Sequence, residues 1–462
     1  MTGTSSSRGY QAALIAIAVG AFALRVFPFF GPDGALGYRV DYDEGVYFSA
    51  ASYLLQGVLP YRDFVFVHPP ALLFFVAITS AWTAKFLGVA GAFGLARWIA
   101  ALLGALNTFL VGRVVWRGGV PWAALLSAAF YATYSEVVQV ERGAFLEPLL
   151  NLVCLLLVLS VTNKKVVLAA VLGGLALSIK LWAGIWVLGA LWAIEGTRER
   201  LRFLAIAAAT AMVFVLPLAL LNPAAFFTEV GLFHAWRPPD GTVARLERLT
   251  QIVSVRHLAS PLLALLAVVL RRRWDALAKV SVTAWGLTLL AFFASAAWWN
   301  QYNAHLIASE ALVAGGLFAL LAPRWRAVLA LFAAVSVSMS IAHTLRRSRT
   351  TNDEYLALAR SPLRDTRDCV FTFEPGWSLV AGRLPPRETG PLVDSYASQL
   401  LSALKDGQRF PTSEAAFAAS AAPAGLAQCR FVLGGERAAK QASLEATHQL
   451  VTREGLQVWE LK

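Results

Sequence analysis

The chain has 462 residues, 58% of them hydrophobic and 15% charged, with a formal net charge of +12. Soluble domains carry about 25% charged residues, so a chain this apolar needs lipid to cover its surface, and its mean hydropathy of +0.59 agrees. A soluble enzyme, a coiled coil and a disordered chain are excluded, and the basic excess reads as membrane orientation rather than as a nucleic-acid surface.

The polar start MTGTSSSRGY leads into a long apolar run without a small-residue cleavage site, which reads as a retained first span. Apolar runs approaching the ~20 residues of a crossing recur at 11–30, 70–88, 95–116, 121–139, 145–161, 166–179, 181–194, 203–221, 258–270, 280–298, 305–322 and 327–343. Beyond His343 charges are spread throughout and no long apolar run follows. Residues 1–343 are therefore read as an all-α polytopic membrane domain, and 344–462 as a small soluble α/β domain.

Basic residues cluster between spans: Arg8, Arg113 and Arg117, Lys164 and Lys165, Arg198 with Arg200 and Arg202, Arg271 to Arg273 with Lys279, and Arg324 with Arg326. The segments that hold them carry 14 Lys or Arg against 3 Asp or Glu. Placed in the cytoplasm, they put the N-terminus inside. They put 31–68, the 139–145 turn, the Lys180 turn, 222–257, 298–304 and the terminal domain outside the plasma (inner) membrane. Twelve full crossings would bring the C-terminus back inside. One run between His68 and Arg117, around Lys85 and Arg97, must then re-enter or fall short. About eleven transmembrane helices are expected.

The first outer loop, 31–68, is rich in acids and aromatics. Asp41, Asp43 and Glu44 fall within four residues, and GVYFSAASYLLQG follows with helical spacing of Tyr47, Ala50, Ala51 and Leu54 and a stop at Gly57. An amphipathic helix on the membrane face is expected, holding carboxylates at the mouth of the bundle. A carboxylate there is either a base strengthened by desolvation or a helix-capping acid.

The stretch DYDEGVYFSAASYLLQGVLPYRDFVFVHPPALLFF resembles the first outer loop of the GT-C polytopic glycosyltransferases, in particular bacterial relatives of protein O-mannosyltransferases and aminoarabinose transferases. The features that carry it are Asp43-Glu44, Tyr47, the Gly57 to Asp63 turn and His68-Pro69-Pro70. Looser likeness extends to Arg97, to Glu141 and Glu147, to GLALSIK ending at Lys180, to WWNQYNAH, and to FTFEPGWSLVAGRLPP. The resemblance implies an inverting enzyme that moves a sugar from a polyprenyl-phosphate carrier to a cell-envelope glycan, lipid or protein, with Asp43 as base. Between Asp41, Asp43 and Glu44 the assignment stays open. A polytopic transporter or lipid flippase is the rival reading, but no internal repeat between the halves supports it. A non-catalytic assembly subunit is a third.

Such chemistry needs a base near the acceptor and cations for the leaving phosphate. Lys180 stands alone in an apolar stretch on the outer side, where orientation does not explain it. Arg62 either binds substrate or pairs with Asp63. His68 either meets the donor phosphate or opens a helix ahead of Pro. Arg97 either snorkels or meets the lipid phosphate. Glu141, Arg142 and Glu147 form either an ion-paired turn or a site. In FFTEVGLFHAWRPPDGTVARLER, His234 and Arg237 are rim candidates, and His305 opens a late outer-facing span. No cofactor motif and no clustered His/Cys metal site is present. A divalent cation (Mg or Mn) could still sit on Asp43 or Glu44 plus the donor phosphate, since such sites need only one or two carboxylates.

Cys154 reads as a core residue. Cys369 and Cys429 either bridge or stay as two buried thiols. The terminal domain alternates CVFTF, helix-like DSYASQLLSALKDG, CRFVLGG, helix-like ERAAKQASLEATHQL and LQVWEL. It either docks the acceptor or packs over the outer face.

Overall fold

The computed structural model describes residues 3–116, 120–239, 247–248, 250, 254, 257, 259–270, 274–320, 323–348, 353–387, 393–404, 408–420, 426–433, 447–453 and 456–462. Arg117, Arg271 to Arg273 and residues 436–446 of the second helix-like segment lie outside that set.

The membrane domain is a helical bundle. Its first ten helices are α1 (Gly3–Val26), α2 (Tyr42–Leu54), α3 (Ala71–Thr79), α4 (Ala84–Trp116), α5 (Pro121–Thr133), α6 (Ser135–Val140), α7 (Glu147–Thr162), α8 (Val166–Ile179), α9 (Gly184–Ala193) and α10 (Thr197–Ala219). Helices Ala259–Leu270, Ala276–Ala294, Asn303–Leu320 and Pro323–Arg347 also belong to it. Among the described residues, Arg8–Phe30, Ala71–Trp116, Thr197–Ala219 and Ala276–Ala294 are long and apolar enough to cross a membrane, and shorter apolar helices stand among them.

The run 70–88 is not one span. Helix α3 has nine residues, about 14 Å at the helical rise, against a hydrocarbon core near 30 Å. The chain turns at Ala81–Thr83 and continues as α4, which bends at Gly88. Gly88 has φ 68°, a conformation that glycine adopts without a Cβ penalty.

Apolar packing between the helices is joined by buried polar bonds that link them. Arg25 of α1 pairs with Glu141, and Asn107 and Tyr131 donate to the same carboxylate at 2.9 and 2.6 Å. Arg142 donates to the carbonyls of Leu24 and Arg25. These bonds tie α1, α4 and α5 to the 141–146 turn.

Helix α2 departs from the amphipathic expectation: residues Glu44 to Tyr53 are all buried. The terminal domain lies on it. A Cβ on Gly45 would stand 2.4 Å from the backbone nitrogen of Gly376, in the helix Pro375–Val380, so only glycine permits this approach. Tyr42 Oη donates to Asp394 Oδ1 at 2.9 Å across the same contact.

The terminal domain is α/β. Strands β1 (Val370–Thr372), β2 (Phe431–Leu433), β3 (His448–Arg453) and β4 (Leu456–Leu461) form a sheet in the order β1-β2-β4-β3. β1 and β2 are parallel, and β4 runs antiparallel to both β2 and β3. The end of the second helix-like segment, from His448, is strand, because it pairs along its whole length with β4. Cys369 and Cys429, which precede β1 and β2, form a disulfide, and Cys154 is a buried free thiol.

Candidate active site

The site starts from the N-terminus of α2. Asp41 is the N-cap: its Oδ1 accepts from the Asp43 nitrogen at 3.2 Å, while Glu44 Oε1 accepts from the Asp41 nitrogen at 3.0 Å, a reciprocal capping box. Glu44 is then saturated. Its Oε1 accepts from Arg97 Nη2 at 2.9 Å, and its Oε2 accepts from Arg97 Nε at 2.9 Å and from the Ala144 nitrogen at 2.8 Å. Arg97 also donates to the carbonyls of Ala35, Tyr38 and Arg39. Arg97 and Glu44 therefore clamp the first loop to α4, and neither lines the cavity described next.

Asp43, one residue earlier, faces a cavity of about 490 Å³. Its walls include Asp41, Asp43, Tyr47, His68, Lys180, His234 and Arg237, drawn from the first loop, the α8–α9 break and the helical segment that starts at Pro223 and is capped by Arg237. Arg39, Gln301, Tyr302, Glu374, Trp377, Asp394 and Tyr396 also line it. Gln301 Nε2 donates to Asp43 Oδ2 at 2.8 Å. The sequence flagged the segments WWNQYNAH and FTFEPGWSLV, yet did not single out Gln301, Tyr302, Glu374 or Trp377 within them. Asp394 and Tyr396 carried no signal.

Lys180 is in extended conformation between α8 and α9. Its Nζ donates to Glu147 Oε1 at 3.0 Å and to His305 Nε2 at 3.2 Å, and it lies 5.0 Å from the Tyr302 ring centre. His305 thus stands behind Lys180 rather than on the cavity wall. The His68 and His234 rings stack at 5.7 Å, and His234 Nε2 donates to the Val67 carbonyl at 2.9 Å. Arg237 Nη2 donates to Tyr396 Oη at 3.0 Å, and its guanidinium packs over Phe233, Trp299 and Tyr396. Arg62 and Glu141 lie away from the cavity. Arg62 is exposed and bonded to Asp63 at 2.7 Å, and Glu141 sits in the Arg25 clamp.

Burial pushes the Asp43 carboxyl up to about 8, and the carboxylates of Asp41, Glu147 and Asp394 add to this against the opposing pull of Lys180. Burial, then Glu44, raises Asp41 as well. Burial and the neighbouring Lys180 and His234 hold His68 well below the usual imidazole range, so it meets a ligand as a neutral donor or acceptor. The cavity thus offers a strengthened base on one wall and Lys180 and Arg237 as cations on others. That division suits proton removal beside an anionic leaving group.

Of the two carboxylates expected to hold a divalent cation, Glu44 has both oxygens occupied by Arg97 and backbone donors, while Asp43 faces the cavity. Among the described residues no three His, Cys, Asp or Glu side chains gather as a metal site.

The fold is that of ArnT from Cupriavidus metallidurans. The chain matches the apo structure of that protein with a TM-score of 0.66 and 13% identity, over 98% of each chain. It matches the undecaprenyl phosphate-bound structure with a TM-score of 0.63 and 14% identity, again over 98% of each. The S. cerevisiae protein O-mannosyltransferase Pmt1–Pmt2 complex bound to the sugar donor matches over 49% of this chain and 34% of its own, with a TM-score of 0.35 and 20% identity. No family model and no curated protein matches the sequence.

Proposed function

We propose that the protein is an integral membrane glycosyltransferase that moves a sugar from a polyprenyl-phosphate carrier to an acceptor of the cell envelope. The observation that carries this reading is the cavity in which Asp43, oriented by Gln301 and basic through burial, shares one space with Lys180, Arg237, His68 and His234. The likeness in fold to a protein solved with undecaprenyl phosphate supports the donor class.

In the proposed reaction Asp43 takes the proton of an acceptor hydroxyl as that oxygen attacks the anomeric carbon. The bond between that carbon and the phosphate oxygen breaks on the opposite face, inverting the configuration, and polyprenyl phosphate leaves. Lys180 and Arg237 neutralise the departing phosphate, with His68, His234 and Tyr302 as neutral hydrogen-bonding partners. No step is assigned to a metal.

The active site and terminal domain belong on the extracytoplasmic side in this reading. The basic loops support that orientation, and so does the Cys369–Cys429 disulfide, which suits an oxidising compartment. About eleven crossings would satisfy the basic-loop pattern at both ends. Glu374, Trp377, Asp394 and Tyr396 make the terminal domain a wall of the site. The test is reconstitution with a panel of polyprenyl-phosphate hexoses and pentoses, reading release of polyprenyl phosphate together with glycosylated product. Solute flux across the vesicles without release would overturn the assignment in favour of a transporter.

A further inference from the structure

A second cleft lies at the far end of α8, fourteen residues before Lys180. Helix α7 passes into α8 through the turn at Asn163–Lys165, where Lys164 has φ 57°, uncommon for a residue with a side chain. Helix α10 packs alongside α8. Between them opens a cleft of about 550 Å³, with Lys164, Lys165, Glu199 and Arg202 on its polar side. Its apolar side is Val167, Leu168 and Val171, spaced along one stripe of α8, and all three are exposed.

Among the described residues neither Lys164 nor Lys165 pairs with a carboxylate, and the cleft's one acid, Glu199, is 3.8 Å from Arg202. Three cations against one acid leave the lining at +2. Membrane orientation asks for basic residues somewhere on this face. It does not ask that two lysines and an arginine from separate segments converge on one cleft beside exposed aliphatic side chains.

We propose that this cleft seats the phosphate headgroup of an anionic phospholipid, with the acyl chains lying along the Val167–Val171 stripe. The charge is complementary to one phosphodiester, and an exposed aliphatic stripe beside a basic rim matches a lipid rather than a soluble anion. The site is separate from the cavity around Asp43 and does not depend on the reaction proposed there.

The test is native mass spectrometry of the purified full chain, delipidated and then offered phosphatidylglycerol, phosphatidylcholine or undecaprenyl phosphate. The wild type is expected to retain one phosphatidylglycerol through detergent exchange and no phosphatidylcholine. The triple variant K164Q/K165Q/R202Q is expected to lower the lipid-bound fraction at least fivefold. R113Q/R198Q, which removes basic residues that do not line the cleft, is expected to leave it unchanged. If the triple variant fails to elute as a folded protein, K165Q alone is expected to lower the fraction at least twofold. Equal retention by the cleft variants, equal retention of phosphatidylcholine, or retention of undecaprenyl phosphate alone would overturn the proposal.

Discussion

Replacing Asp43 with asparagine preserves the size of the side chain and an oxygen to accept from Gln301, and removes only the basic carboxylate. A positioned general base contributes about 10²–10⁴ in rate, equivalent to roughly 3–5 kcal/mol of barrier, so transfer should fall by that factor. The effect on stability has the opposite sign from that of a structural acid. The Asp43 carboxyl lies at about 8 when folded against an ordinary 3.8, so the folded state holds a proton that the unfolded chain releases between those values. Its ionisation therefore opposes folding as pH rises through that window, and asparagine carries no such cost. The variant should melt at or above the wild-type temperature at pH 8. The assay is release of polyprenyl phosphate from a labelled donor in proteoliposomes across pH 6 to 9. Wild-type kcat/KM should rise with pH up to about 8, while the residual rate of the variant stays flat. Unchanged turnover, or lost turnover with a large drop in melting temperature, would refute the reasoning.

Other substitutions separate the clamp from the chemistry. Glu44→Gln leaves the buried Arg97 guanidinium without its counter-ion and should cost about 3–5 kcal/mol of stability, read as a lower melting temperature in detergent. Lys180→Met removes a cavity cation and should weaken undecaprenyl phosphate binding by about tenfold or more, measured by titration, with the oligomeric profile unchanged. Gln301→Leu frees Asp43 from its donor and should lower kcat about tenfold with little change in KM, because Gln301 acts through Asp43. Serine at Cys369 and Cys429 removes a link that spans 60 residues and should destabilise the terminal domain by roughly 4 kcal/mol in the chain-entropy account. Proteolysis of that domain at increasing temperature reads the loss.

Much of the cavity was legible in sequence because its ionisable residues stand out against an apolar background. Asp41, Asp43, Tyr47, His68, Lys180, His234 and Arg237 were each nominated, and they meet around one cavity. The acids of α2 were harder to separate. Asp43 and Glu44 are neighbours in the chain, but Glu44 is committed by an arginine 53 residues later, a partnership that spacing along the chain does not express. Arg97 and Glu141 are likewise held in buried ion pairs, with Glu44 and Arg25, outside the cavity, and those partners are not expressed by spacing along the chain either.

The surroundings of α2 were hidden too. Its composition suits a membrane-surface helix, and only the approach of Gly376 to Gly45 and the bond from Tyr42 to Asp394 reveal that the terminal domain covers it. That domain supplies Asp394 and Tyr396 to the wall from more than 350 residues away in sequence. The apolar run 70–88 illustrates a further limit. Hydropathy is blind to a turn made of Ser80 to Thr83, so a short helix and the start of a long one read as a single span.

The central claim is that one cavity holds the base and the phosphate-binding groups together. A structure of the protein with undecaprenyl phosphate tests it most directly. The account predicts phosphate density within hydrogen-bonding reach of Lys180 and Arg237, on the same cavity as the Asp43 carboxyl. Phosphate density elsewhere at saturating lipid, with the cavity around Asp43 vacant, would contradict it.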